Sequence, residues 1–218
     1  MTILITAGPT REAIDPVRYI SNRSSGKMGY SLAKVAAQQG NRVILISGPT
    51  SLDVPAGVDF IPVESTQEMY DAVTAQISQA DTAIMCAAVA DYRPVKQAEV
   101  KIKKNAERMT IELERTPDIL GSLRQSMGFT GILVGFAAET NDVEDYARGK
   151  LERKQCDMVV ANDVSRRDIG FDSNSNEVTL VLPDRNIPVT KAPKETIARV
   201  ILQAIETLRD EKASNADS

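Results

Sequence analysis

The chain has 218 residues, 42% of them apolar, and a formal net charge of −4; this suits the buried core of one α/β domain and disfavours a general nucleic-acid binder, whose surface is basic. It contains no histidine, which excludes a Ser-His-Asp triad, a Cys-His pair and an imidazole zinc site. No stretch approaches the roughly 18 consecutive apolar residues of a membrane helix, and MTILITAGPT lacks the layout of a signal peptide, so a cytoplasmic location is expected.

In chain order, Thr2 to Thr6 is a short apolar strand, followed by a long polar loop and a helical period from Lys27 to Gln39 that Gly40 closes. Arg42 to Ser47 predicts a second strand and Val58 to Val63 a third. The third precedes Ser65-Thr66-Gln67-Glu68, which has the spacing of a capping box at a helix start. Thr82 to Ala87, Gly131 to Phe136 and Asp157 to Ala161 read as strands. Pro117 to Gln125 and Val143 to Lys154 read as helices, and Glu177 to Thr190 as a hairpin turning at Pro183-Asp184-Arg185-Asn186. Arg93 to Arg108 is polar and without period. A last helix, Pro193 to Leu208, precedes a polar stretch, 210–218, expected to be a disordered tail behind a single domain over residues 1–209.

Short apolar strands alternating with helices predict an α/β fold of Rossmann-like type. Its three layers are a mostly parallel sheet and helices on both faces, with a β-hairpin and a dimerisation segment added. Cys86 and Cys156 lie far apart, each in an apolar, strand-like run, which suits buried thiols better than a disulfide or a metal site.

Ligands of doubly wound sheets bind beyond the carboxyl ends of strands. After the first strand, Ser24, Ser25 and Gly26 stand at the start of a helix, where free N–H groups and hydroxyls make an anion cradle; the plainer reading is a helix cap. GxGxxG is absent, and Ile46-Ser47-Gly48 brings no acidic residue for an adenosine ribose, so a nicotinamide-dependent reductase is disfavoured. Asp91, at a strand end beside Ala87, Ala88 and Ala90, suits a ribose hydroxyl or a metal-bound water, or else an Asx-turn. Lys101, Lys103 and Lys104 make a basic flap for a triphosphate or a solvated charge run. Lys150 and Lys154 share a helix face, and Phe136 can stack on a base or pack in the core.

DPVRYISNRSSGKMG, CAAVADYRP, KIKK, VGFAAET and ANDV, in that order, resemble the phosphopantothenoylcysteine synthetase family over roughly Ile3 to Phe171. The resemblance is to the bacterial branch that uses CTP, usually the carboxyl-terminal half of a protein whose other half is a flavin-dependent decarboxylase. It therefore implies either a freestanding synthetase or the synthetase part of such a fusion. The implied reaction has two steps. The carboxylate of 4'-phosphopantothenate attacks the α-phosphate of CTP, giving an acyl-cytidylate and pyrophosphate, and the amine of cysteine then displaces CMP. Mg²⁺ is implied as a cofactor, held mainly by the CTP phosphates. By motif position, Asn22 resembles the asparagine that handles the acyl-cytidylate, with Arg18 beside it, and Lys101 the flap lysine that forms it. Asp91, Lys101, Pro117, Asp118, Ile119, Leu120, Phe136, Lys150 and Lys154 fall where the family contacts CTP. Family members are homodimers, and Ala87-Ala88 with the Arg93 to Arg115 region resembles the part that crosses between subunits. A non-catalytic nucleotide-binding module is the remaining reading.

Overall fold

The computed structural model describes residues 1–104, 107–139, 142–163 and 173–216. From the amino end come β1 (Thr2–Ala7), the paired β2 (Arg11–Ala13) and β3 (Tyr19–Ser21), and α1 (Lys27–Gln38). They are followed by β4 (Arg42–Ser47), β5 (Val58–Pro62), α2 (Thr66–Gln76), β6 (Thr82–Met85), β7 (Tyr92–Pro94), β8 (Leu113–Arg115) and α3 (Ile119–Gln125). The remainder comprises β9 (Ile132–Glu139), α4 (Val143–Lys154), β10 (Met158–Asp163), β11 (Ser175–Val181), β12 (Asn186–Pro193) and α5 (Lys194–Ala216).

One eight-stranded sheet runs β12-β11-β10-β9-β6-β1-β4-β5. The six strands from β10 to β5 are parallel, and the β11–β12 hairpin extends the sheet antiparallel at the β10 edge. The chain leaves β1 toward β4 and β5, then returns to β6 on the other side. The order therefore reverses between β1 and β6, and their carboxyl ends bound the crevice where such sheets bind ligands.

The parallel strands read as continuous apolar runs because both faces are covered. Ile3, Ile5, Val43, Leu45, Ile84 and Val134 pack under α1 and α5. Their sequence neighbours Leu4, Ile44, Ile46, Ala83 and Leu133 pack under α2, α3 and α4. Leu32 of α1 is fully buried, which contributes roughly 1.5–3 kcal/mol. Gly29 lets the first turn of α1 press on β1: a Cβ there would lie 2.5 Å from that of Ala7. The Ser65 half of the capping box forms at the start of α2, with Ser65 Oγ accepting from the Glu68 amide (3.2 Å), while the Glu68 carboxylate reaches one residue further back and accepts from the Glu64 amide (2.7 Å).

Three expectations need correction. The first polar loop contains the β2–β3 hairpin, and the unpatterned segment after Asp91 contributes β7, paired with β8. The last helix does not end at Leu208 ahead of a disordered tail but continues to Ala216. Asp210, Glu211 and Lys212 carry no apolar period, yet Glu211 pairs with Arg185 (3.0 Å) and Lys212 with Asp157 (2.6 Å), which fastens the extra turns to the body. Among the described residues, no helix is long and apolar enough to cross a membrane.

Candidate functional site

At the order reversal lies a cavity of about 780 Å³, lined by the segment between β3 and α1, the first turn of α1, the loop after β6, residues of β9, β10 and β11, and residues of α3, α4 and the start of α5. It collects Asn22, Ser24, Ser25, Gly26, Asp91, Pro117, Asp118, Ile119, Leu120, Phe136, Lys150 and Lys154.

The amino end of α1 opens into it. Its cap position is Gly26 at φ +78°, a residue with no side chain to offer the helix. Ser24 Oγ accepts from the Gly26 amide (3.3 Å). A Cβ at Gly26 would meet Thr50 Cγ2 at 2.6 Å, so both the backbone angle and the space require glycine. The first turn carries the partial positive charge of a helix start, which favours a bound anion.

On the far side, Asp118 caps α3 by accepting from the Gly121 amide (3.0 Å), and its other oxygen takes the ammonium of Lys154. Burial pushes the Asp118 carboxyl up. The Lys154 hydrogen bond, the Gly121 amide and the charges of Lys154 and Lys150 outweigh that and leave it below the ordinary carboxylate range. Lys150 Nζ donates to the Phe136 carbonyl (2.6 Å). One turn of α4 thus sets two cations beside the end of β9.

Asn22 Nδ2 donates to the carbonyls of Ala88 (3.1 Å) and Val89 (2.9 Å). Two carbonyl partners fix the amide's orientation and engage both its hydrogens, leaving Oδ1 as the atom for a further partner. Asn22 therefore fastens the loop after β6, in which Asp91 stands.

Lys101 and Arg18 are not brought to this cavity. They line a second one of about 760 Å³, with Ile102, Lys103, Lys104, Glu107, Arg108 and Met109. Arg18 is held by the buried Asp15, whose Oδ2 accepts from its Nε (3.0 Å) and Nη2 (2.5 Å). The same oxygen accepts from the Ile102 amide (3.1 Å), while Arg18 Nη2 donates to the Ile102 carbonyl (3.1 Å). The hydrogen bond from Arg18 holds the Asp15 carboxyl far below its usual value against the opposing effect of burial, with the amides of Val17, Ile102 and Arg18 adding to it. Arg18 and Asp15 together grip the chain next to Lys101.

Lining residues that sequence reasoning did not single out include Lys27, Asn162, Asn176 and Lys194. Asn162 lies within the ANDV string, and its buried Oδ1 has no hydrogen-bond partner among the described residues. Lys194 is 6% exposed and donates to the carbonyls of Ser173 (2.7 Å) and Ser175 (3.5 Å); nothing in its polar neighbourhood marked it as buried. Cys86, half-buried, also lines the cavity. Burial pushes its thiol up to about 12 against the charge of Lys194, and burial pushes Cys156 up to about 11, so both thiols stay protonated at neutral pH.

Residues 1–208 match the family described as DNA/pantothenate metabolism flavoprotein C-terminal domain. The chain is 54% identical over 209 residues, 95% of its length, to the coenzyme A biosynthesis bifunctional protein CoaBC of Vibrio parahaemolyticus, and spans 52% of that relative. The chain thus spans about half the length of the curated relatives it matches. A crystal structure of the C-terminal domain of a CoaBC protein superposes with a TM-score of 0.82 at 45% identity, covering 96% of each chain. A Cab2 variant in complex with phosphopantothenate-cysteine gives 0.81 at 18% identity, covering 100% of this chain and 89% of its own, which extends the agreement in fold alone. As the resemblance to the phosphopantothenoylcysteine synthetases implied, the chain belongs to the DNA/pantothenate metabolism flavoprotein C-terminal domain family.

Proposed function

We propose that this domain is a phosphopantothenate–cysteine ligase of coenzyme A biosynthesis that activates its acid with CTP. The observation that carries the reading is the cavity at the order reversal, which joins the start of α1 to Pro117–Leu120, Phe136 and the two lysines of α4. The names of the relatives, coenzyme A biosynthesis bifunctional proteins, agree with it. They also support a flavin-dependent decarboxylase domain as a covalent partner in the full-length protein.

A carboxylate oxygen of 4'-phosphopantothenate attacks the α-phosphorus of CTP, and pyrophosphate leaves. The cysteine nitrogen then attacks the carbonyl carbon of the acyl-cytidylate, loses a proton and expels CMP. The first nucleophile is ionised at neutral pH, so the step needs alignment and charge neutralisation in place of a general base, which suits a chain without histidine. Lys150, Lys154 and the first turn of α1 supply positive potential. Among the described residues, no three His, Cys, Asp or Glu side chains form a metal cluster. Mg²⁺ would then take its ligands chiefly from CTP phosphates and water, and would neutralise phosphate charge.

Lys101 reaches a CTP site in this reading from a second copy of the chain. The β2–β3 hairpin packs against β7, and Val17, Tyr19, Tyr92, Val95, Val100 and Leu113 on these segments and beside them are 42–75% exposed. Exposed apolar side chains on such segments suit a homodimer interface.

The test is incubation with CTP, Mg²⁺, 4'-phosphopantothenate and cysteine. Pyrophosphate and CMP should appear together; no pyrophosphate from the folded protein would overturn the reading.

A further inference from the structure

We infer that Glu12 is a positioning residue for this site, acting through a one-way hydrogen-bond relay that ends on the Ala90 peptide. The inference rests on the ligase reading only where activity is measured.

Glu12, Thr10 and Thr66 are 5%, 0% and 1% exposed, and all three lie outside the wall of the cavity. The Ala90 amide donates to Thr10 Oγ1 (2.9 Å), Thr10 and Thr66 share a hydroxyl contact (3.0 Å), and Thr66 Oγ1 donates to Glu12 Oε1 (2.6 Å). The polarity of this chain is fixed at both ends. An amide N–H can only donate and a carboxylate can only accept, while each hydroxyl supplies one hydrogen. Thr66 therefore gives its hydrogen to Glu12 (2.6 Å) in preference to the more distant Ala90 carbonyl (3.4 Å), Thr10 gives its own to Thr66, and Thr10 Oγ1 accepts from Ala90. Glu12 Oε1 also accepts from the Thr66 amide (2.8 Å), the first N–H of α2. The carboxylate is thus anchored against a helix start that favours negative charge.

The next peptide, which carries the Ala90 carbonyl, is held as firmly. The Ala90 carbonyl accepts from Thr116 Oγ1 (2.6 Å), and the Thr116 amide donates to the Asp91 carbonyl (3.0 Å). Upstream, the Ala88 carbonyl accepts from the Thr10 amide (3.3 Å) and from Asn22. The loop carrying Asp91, the anchor of Asn22 and the approach to Pro117–Leu120 all meet at Ala90. A buried acid remote from the ligand cavity thereby sets the relative position of three of its walls. Polarised chains in a low-dielectric interior strengthen link by link, so loss of one link loosens the whole.

Thr10→Val removes the central hydroxyl at constant shape, and Thr10→Ser restores it. Amide hydrogen exchange at Ala90 and the steady-state kinetics of pyrophosphate release from CTP are measured on both. Thr10→Val should speed Ala90 exchange by on the order of tenfold or more and lower kcat by roughly tenfold to a hundredfold, with KM for CTP changed far less. Thr10→Ser should return both toward wild type, a recovery that loss of bulk packing would not show. If Thr10→Val does not fold, Glu12→Gln is used, which replaces the charged acceptor by a weaker neutral one and should move both readouts the same way. Exchange and kcat both within about twofold of wild type in the folded variants would overturn the relay. A protected Ala90 amide that Thr10→Val exposes, in a wild-type protein that releases no pyrophosphate, would leave the relay standing and sink the ligase reading alone.

Discussion

Lys154 and Asp118 form an ion pair that ties α4 to α3, and the Asp118 carboxylate caps α3 with its second oxygen. In the proposed reading, a nucleotide phosphate entering the cavity would meet a lysine already partnered, so binding would exchange or share that partner. Lys154→Met should raise KM for CTP by about tenfold or more, the scale of one charge-assisted hydrogen bond, and flatten its salt dependence. Asp118→Asn keeps a competent cap, since asparagine serves as well as aspartate there, so its thermal midpoint should fall less than that of Asp118→Ala. Unchanged CTP affinity in Lys154→Met, by calorimetry, would remove Lys154 from the site.

Both Asp15 and Asp118 are held below the usual carboxylate range, Asp15 chiefly by the Arg18 hydrogen bond and Asp118 by Lys154 and the Gly121 amide against the opposing effect of burial. A folded pKa below the unfolded one gives stability that is complete above the unfolded value of about 3.9. That stability disappears as pH falls through the folded value. The gap in thermal midpoint between wild type and Asp15→Asn should therefore be constant from neutral pH to about pH 5 and narrow below about pH 4. The Asp118 contribution is smaller, because half of that side chain is in water. A gap that widens in acid would contradict the assignment.

The parallel sheet was legible because strands buried on both faces leave continuous apolar runs such as Ile3 to Ile5 and Val43 to Ile46, and the start of α2 was written out in Ser65 and Glu68. Three-residue strands carry no such pattern. β7 and β8 find each other across a long segment, and only the tertiary contact defines them. The walls of the cavity were legible as loops after strands, whereas Lys194 was not, since its burial comes from packing against Ser173 and Ser175. The separation of Lys101 and Arg18 from Asn22 was equally hidden: it follows from Asp15 gripping Ile102, a contact between residues far apart in sequence.

That grip gives a prediction for the basic segment. Asp15 accepts from the amides of Val17 (2.9 Å), Arg18 (2.9 Å) and Ile102 (3.1 Å) as well as from the Arg18 guanidinium. Asp15→Asn replaces an acceptor oxygen by an amide nitrogen and leaves a donor facing donors. The Ile102 amide should exchange about tenfold faster, and first-step formation of the cytidylate should slow along with that of Lys101→Gln. If Ile102 exchange is unaltered, Asp15 does not anchor the segment.

Gly29 makes a steric prediction. In Gly29→Ala the new Cβ would stand 2.5 Å from that of Ala7, with further contacts at 3.2 Å and 3.3 Å to the β1 backbone, so α1 must back away. Overpacking of this kind costs roughly 1–3 kcal/mol, and the displaced helix start should weaken CTP binding too. A denaturant midpoint equal to wild type would show that the helix has room to spare.

Asn22 offers the sharpest substitution, because its partners are both acceptors. Asn22→Ala removes two donors and leaves the Ala88 and Val89 carbonyls to water, at an exposed site where water can reach them. Asn22→Asp instead turns a carboxylate toward the same two carbonyls. It also adds negative charge to a cavity whose cations, in the proposed reading, serve phosphate. The loop bearing Asp91 is then repelled as well as released. Asn22→Ala should lower the rate by about tenfold, the worth of loosening one anchor, whereas Asn22→Asp should lower it by on the order of 10²–10³, the scale of a misplaced electrostatic donor. Steady-state pyrophosphate release under saturating CTP, 4'-phosphopantothenate and cysteine reads the difference. Equal loss in the two variants would mean that Asn22 contributes bulk, with neither its donors nor its neutrality at issue.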